Sequence, residues 1–276
     1  YFIIEEDAMA VLTVQGWIKR QREVKDLGST RLREGDRVID VVAGSTKSSV
    51  AFFSNHGACY VCRMVDVPAA TGYGNPVQTL FKLADGEKII RMVGFDPRLL
   101  EVPEAQEGAE PEPPFALAVT RQAQSLRFSL RPHREPSTRS GRKYARLSEG
   151  DEVIYVEVLG KGDHVAAASV EGYALICKAD EVALLAGAGK GVMLMKLEDG
   201  DELVGASVFH NKSDQLNLLN EKGTEYDVTL RKYNAVSRGG KGHQLFKRGR
   251  LASKVPDEIV LPELPEAPRN SRPPKA

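Results

Sequence analysis

The chain has 276 residues, 42% of them apolar, 28% charged, and a formal net charge of zero. This is enough apolar material for a sizeable core, and no apolar run approaches the ~20 residues that a membrane-spanning helix needs. The three cysteines (Cys59, Cys62, Cys177) form no disulfide framework, which points to a reducing cytoplasm, and Cys59-x-x-Cys62 alone supplies only half of a zinc site.

Read in chain order, the sequence is a series of hairpins. Met9–Val14 is apolar, Gln15-Gly16 turns, and Trp17-Ile18-Lys19-Arg20 returns. The pattern recurs around Gly57, Gly172 and Gly223, with Ala123 standing in the turn of the third copy. Glycine at such a turn supplies the positive φ that a tight hairpin requires. Each hairpin is followed by a Gly-containing loop, an apolar strand and an acidic-Gly-acidic turn. Those turns are Glu34-Gly35-Asp36, Asp85-Gly86-Glu87, Glu149-Gly150-Asp151 and Asp199-Gly200-Asp201, with a basic variant at Arg248-Gly249-Arg250. Their central glycines are 51, 64, 50 and 49 residues apart. A repeat of this length with about four strands predicts an all-β, propeller-like ring of about five four-stranded blades.

Two departures stand out. From hairpin to acidic turn, copies two to five span 29, 27, 28 and 26 residues, but copy one spans 19, so its middle loop is shortened. Between copies two and three, residues 97–114 carry five prolines and five glutamates, which predicts a disordered acidic insertion. The repeats predict one domain over 1–255, and the proline-rich stretch 256–276 reads as a disordered tail outside it.

No catalytic constellation emerges. The five histidines are scattered, and no nucleophile elbow, phosphate-binding loop or His-Glu-x-x-His motif occurs. The sequence thus predicts no catalytic residue, no metal and no cofactor in this segment. The middle loops carry the distinctive chemistry: Arg139-Ser140-Gly141-Arg142-Lys143, Gly187-Ala188-Gly189-Lys190-Gly191 and Ser237-Arg238-Gly239-Gly240-Lys241-Gly242, with Gly72-Tyr73-Gly74-Asn75 as the uncharged copy. Glycine lets backbone approach a partner closely, and the neighbouring cations neutralise phosphates. Residues 226–254 hold eight Lys/Arg against Asp227, and 121–146 hold eight against Glu135. These runs predict a basic band on one rim that contacts the backbone of duplex nucleic acid, with Arg238, Gly239, Gly240, Lys241, Gly242, Lys247, Arg248, Arg250, Lys190, Arg139, Arg142 and Lys143 as contacts, and Lys19 and Arg20 as further candidates. A propeller whose basic face meets an acidic protein is the alternative of another class.

The hairpin Gly16–Arg20, the loops Gly189-Lys190-Gly191-Val192 and Arg238–Gly242, and the strand Lys196–Gly205 resemble the C-terminal domain of the A subunit of bacterial type IIA topoisomerases, gyrase and topoisomerase IV. The resemblance covers residues 3–255. It implies a β-pinwheel, a propeller variant with strands exchanged between blades, that binds and bends duplex DNA. It implies partners in the rest of the A subunit and in the B subunit, which would supply the catalytic tyrosine and the use of ATP and Mg, so this domain cleaves nothing by itself. It also implies a monomeric domain on the bacterial nucleoid. In gyrase the first blade carries a Gln-Arg-Arg-Gly-Gly-Lys-Gly-like box for wrapping DNA. Here that loop is the shortened Arg22–Thr30, and a near-box sits in the last copy, at Val236–Gly242. The chain therefore resembles topoisomerase IV more than gyrase, with gyrase as the alternative.

Overall fold

The computed structural model describes residues 4–265, and they form five antiparallel sheets, one per repeat. Each sheet is built on the predicted hairpin. These hairpins are Asp7–Thr13 with Trp17–Gln21, Ser49–Ser54 with Ala58–Arg63, Phe115–Thr120 with Gln124–Ser129, His164–Ser169 with Tyr173–Lys178, and Gln215–Asn220 with Glu225–Thr229. A third strand pairs with the first strand of each hairpin: Val38–Ser45, Ile89–Gly94, Val153–Val158, Leu203–Phe209 and Leu251–Lys254. A register shift recurs in this pairing in every blade, as at Leu12/Thr13 and Ala168/Ser169. Such a bulge raises the local twist of the strand pair.

The acidic-Gly-acidic turns prove to be braces. Asp36, Asp151 and Asp201 each accept, through Oδ1, the backbone N–H of a hairpin-turn residue of the same blade (Gln15, Gln122 and Glu171) at 3.0–3.1 Å. Glu87 accepts instead from the hydroxyls of Ser54 and Tyr60. In the basic variant the sign inverts, and Arg250 reaches Glu171 of the preceding blade at 2.7 Å.

The fourth strand is exchanged. Asn75–Pro76, from the middle loop of repeat two, pairs with Trp17-Ile18 of blade 1. Arg142–Lys143 pairs with Ala58-Cys59 of blade 2, Val192–Met193 with Gln124-Ser125 of blade 3, and His243–Gln244 with Tyr173-Ala174 of blade 4. Blade 3 gains an extra parallel strand, Leu184–Leu185, and blade 5 has three strands among the described residues, so the expected four per blade hold for three of the five.

The apolar cores lie between blades. One joins Ala10, Leu12 and Ile18 to Phe52, Tyr60 and Phe81, and equivalent clusters fill the next three seams. A fifth cluster, Met9, Val11, Val24, Val41 and Ala43, covers the free flank of blade 1. Its cover is not blade 5 but the chain after it: Ile259, Leu261 and Leu264 pack there. The expectation of a tail outside the fold therefore fails for 256–265, because these apolar residues are the ones that dry the last seam; residues 266–276 lie outside the described residues. The acidic insertion divides similarly. Leu100 and Val102 pack on the core between blades 2 and 3, Arg131 donates to the Pro103 carbonyl at 2.9 Å, and Arg134 donates to the Val102 carbonyl at 3.2 Å. Residues 105–113 are exposed and carry no regular structure.

Candidate nucleic-acid interface

Each exchanged strand begins at a left-handed glycine. Gly191 has φ +78°, and a Cβ there would lie 2.1 Å from the Ser125 carbonyl oxygen. Gly242 has φ +81°, with the Ala174 carbonyl oxygen 2.3 Å from the same point. Only glycine serves where the backbone must be both left-handed and pressed on a neighbouring strand. Gly74 and Gly141 occupy the equivalent places. The predicted Gly-rich loops are thus first the hinges of strand exchange. Their tips carry Tyr73, Ser140, Lys190 and Lys241 at one structural position, immediately before the glycine.

A second series appears only in three dimensions. The backbone N–H groups of Lys82, Arg146 and Lys196 donate to the carbonyls of Arg139, Gly189 and Gly240 at 2.9, 3.0 and 2.8 Å. Each acceptor lies two residues before the left-handed glycine of the next loop. These three cations therefore sit at one position per seam, beside a loop tip, with exposed side chains. Lys247 follows Gly242 at the spacing by which Lys196 follows Gly191 and extends the series to the last blade. None of the four is in an ion pair among the described residues. The sequence reading missed Lys82, Arg146 and Lys196. The signal that would have found two of them is a cation five residues after the hinge glycine.

The predicted contacts separate into three groups. Lys143, Lys190, Lys247 and Arg248 are exposed and free of ion pairs among the described residues. Lys241 and Arg250 are exposed but engaged: Lys241 pairs with Glu198 and lies 4.8 Å from the Tyr173 ring centre, and Arg250 holds Glu171. The bond to Glu198 raises the Lys241 ammonium pKa above its ordinary value. The third group is structural. Arg142 donates to the carbonyls of Pro132, Glu135 and Pro136, Arg238 to those of Glu181 and Met193, and Arg139 to that of Thr79. Arg20 donates to the Val67 carbonyl at 3.0 Å. A planar guanidinium suits this clamping of loop carbonyls, and a group so engaged has fewer donors for a ligand. Gly239 donates its N–H to the Leu194 carbonyl, and Gly240 accepts from Lys196, so both knit the loop to blade 4.

Lys19 is a clear correction. It is 1% exposed, and its ammonium donates to the carbonyls of Arg31 and Gly72 at 3.1 and 2.9 Å. It occupies the slot filled by Tyr60, Leu126 and Leu175 in the next blades, so its place is interior, and burial lowers its pKa. No solvent-facing role is open to it.

Burial also accounts for the cysteines. It pushes the Cys62 and Cys177 thiols up to about 12 and Cys59 higher still, far from the thiolate form that metals and nucleophilic chemistry require. Among the described residues no three His, Cys, Asp or Glu side chains converge on one point that could hold a metal.

Comparison with known proteins meets the same architecture. A family model described as "DNA gyrase C-terminal domain, beta-propeller" matches residues 48–93, 117–159 and 163–210, which are blades 2, 3 and 4. The A subunit of DNA gyrase from Aminobacterium colombiense is 28% identical over 254 residues, covering 87% of this chain and 29% of that protein. The chain thus spans less than a third of that relative's length. A crystal structure of the C-terminal domain of DNA topoisomerase IV superposes with a TM-score of 0.79 at 18% identity, covering 93% of this chain and 79% of the other. The DNA gyrase A C-terminal domain superposes at 0.60 with 19% identity, covering 92% and 83%. The matching sequence carries the name gyrase, while the higher-scoring of these two folds carries the name topoisomerase IV. With its five sheets, its repeated hinge glycines and its three matched blades, the chain belongs to the family of C-terminal β-pinwheel domains of type IIA topoisomerase A subunits.

Proposed function

We propose that this domain holds duplex DNA against the rim that carries the exchanged strands, and that it captures or orients a segment for strand passage by the rest of a topoisomerase IV. The observation behind this reading is the cation series Lys82, Arg146 and Lys196, one at each of three seams, continued by Lys247 at the equivalent sequence spacing and flanked by Lys143 and Lys190 on the loop tips. Cations repeated along a curved rim match the repeated phosphates of a bent duplex, and the contact needs no base recognition. ATP, Mg and the cleaving tyrosine belong, on this reading, to the remainder of the A subunit and to the B subunit.

The choice of topoisomerase IV rests on blade 1. Its shortened middle loop lends no strand to another blade among the described residues and lacks the wrapping box of gyrase. Gyrase is the second reading, favoured by the name of the matching relative and by the near-box Val236–Gly242. A topology assay separates the two. Relaxed closed-circular plasmid is incubated with the domain, relaxed again with a type I topoisomerase, and its topoisomers are resolved. Retardation of linear DNA without a linking-number shift is expected for topoisomerase IV. A shift that grows with protein assigns the domain to gyrase, and the absence of both effects overturns DNA binding.

A further inference from the structure

Blade 5 presents a strand-accepting edge that nothing among the described residues fills. In blades 1 to 4 the carbonyl of the hairpin-turn residue (Gly16, Gly57, Ala123 and Gly172) accepts an N–H from the exchanged segment, from Val77, Tyr144, Leu194 and Leu245 at 2.7–2.9 Å. The equivalent Gly223 carbonyl accepts none among the described residues. Open space surrounds a Cβ built on Gly223, where one on Gly172 would strike the Phe246 ring at 2.5 Å. Beneath the exchanged strands, Ile18, Cys59, Ser125 and Ala174 are buried, whereas Glu225 in their place is exposed. The rule of the fold is that the next repeat supplies the strand. After blade 5 that repeat would be the first, whose middle loop is the shortened one.

We infer that this edge is a docking site for a basic, glycine-containing extended segment of another polypeptide, which completes blade 5 as the internal loops complete the other four. The four filled edges define the ligand: a left-handed glycine, two strand residues, then an apolar anchor (Val77, Tyr144, Leu194 or Leu245). Charge defines the rest. In blades 1 and 3, Arg20 and Arg127 stand four residues after the turn and clamp the carbonyls of Val67 and Val182 in the next repeat. In blade 5 that position is Asp227. Its Oδ1 is buried without a partner among the described residues, as is the Oδ1 of Asn217 directly across the strand pair. Two orphaned acceptors beside exposed Glu225 call for donors, which a Lys or Arg of the incoming segment supplies. The same charges oppose a second copy of this chain, because edge-to-edge pairing would set Glu225 and Asp227 against their own copies. Strand addition at an open edge is a general mode of peptide capture.

The test uses a synthetic peptide with the sequence of residues 239–248, the internal segment that fills blade 4, titrated into the 15N-labelled chain. Saturable shifts confined to the amides around Gly223–Asp227 are expected. The peptide carrying Gly242→Ala should bind at least about tenfold more weakly, and the Glu225→Gln/Asp227→Asn double variant should lose about tenfold, the effect of one charge-assisted bond. Unchanged shifts elsewhere in the variant's spectrum establish that it is folded. No shift at millimolar peptide overturns the inference. So does equal binding of the alanine peptide, which would be plain charge attraction. A concentration-dependent dimer whose interface maps to 225–229 overturns it in favour of self-association.

Discussion

Replacing Lys82, Arg146, Lys196 and Lys247 together by alanine removes the four cations of this series while leaving the backbone bonds of that rim in place. Those bonds run through N–H groups, which alanine retains, and the four side chains are exposed, so the variant should fold. If each cation neutralises one phosphate, the slope of log K against log salt should become less steep by about 3.6, at about 0.9 per contact. Between 50 and 200 mM salt the wild-type chain should then lose about two decades more affinity than the variant. The assay is fluorescence anisotropy of a short labelled duplex across a salt series. Arg238→Ala is the control: its guanidinium clamps the carbonyls of Glu181 and Met193, so it should cost about 2 kcal/mol of stability and change the slope by less than one contact. A fourfold variant whose slope equals that of the wild type would refute the assignment of the rim.

Four further outcomes are expected. His133 packs edge-on against Phe53 and Phe128, and burial, the larger cause, and the Arg142 charge lower its pKa to about 4. The neutral ring is thus the folded form: its contribution is complete above the ordinary pKa of about 6.5 and is lost as pH falls towards 4, by about 3 kcal/mol in all. His133→Phe should flatten the dependence of unfolding free energy on pH in that window, and an unchanged gradient would count against it. Gly191→Ala forces a Cβ onto the Ser125 carbonyl and should destabilise the chain by about 3 kcal/mol or more in urea titration, whereas a loss under about 1 kcal/mol would mean that the strand exchange is dispensable. Truncation after Val255 uncovers the cluster of Met9, Val11 and Val41 and should cost about 3 kcal/mol, from three half-buried aliphatic side chains; an unaltered Tm would show that the seam needs no cover. Replacing the exposed acidic stretch 105–113 with a neutral linker should tighten DNA binding at low salt only, and equal affinity would show that the stretch does not compete for the rim.

Much of the architecture was legible along the chain because it is written in local backbone chemistry. The turn residues Gly16, Gly57, Gly172 and Gly223 hold left-handed backbone, and Ala123, at φ +66°, takes the same conformation in the slot where the repeat requires it. Bracing turns such as Glu34-Gly35-Asp36 act within their own blade, so their period counts blades. The shortened first middle loop was equally plain, and in the structure blade 5 keeps an edge that no described residue fills. What the sequence could not assign was the employment of its cations. Lys19 satisfies its ammonium on Gly72, 53 residues away, and Arg238 spends its guanidinium on Glu181, 57 residues away. A charge run reports how many cations a segment has, but whether each one faces solvent depends on carbonyls that another repeat delivers. For the same reason the proline-rich stretch read as a tail: Ile259, Leu261 and Leu264 find their apolar partners in the first blade, at the opposite end of the chain. Local geometry is encoded in short-range sequence, whereas desolvation and pairing are set by whatever distant part of the chain the fold brings alongside.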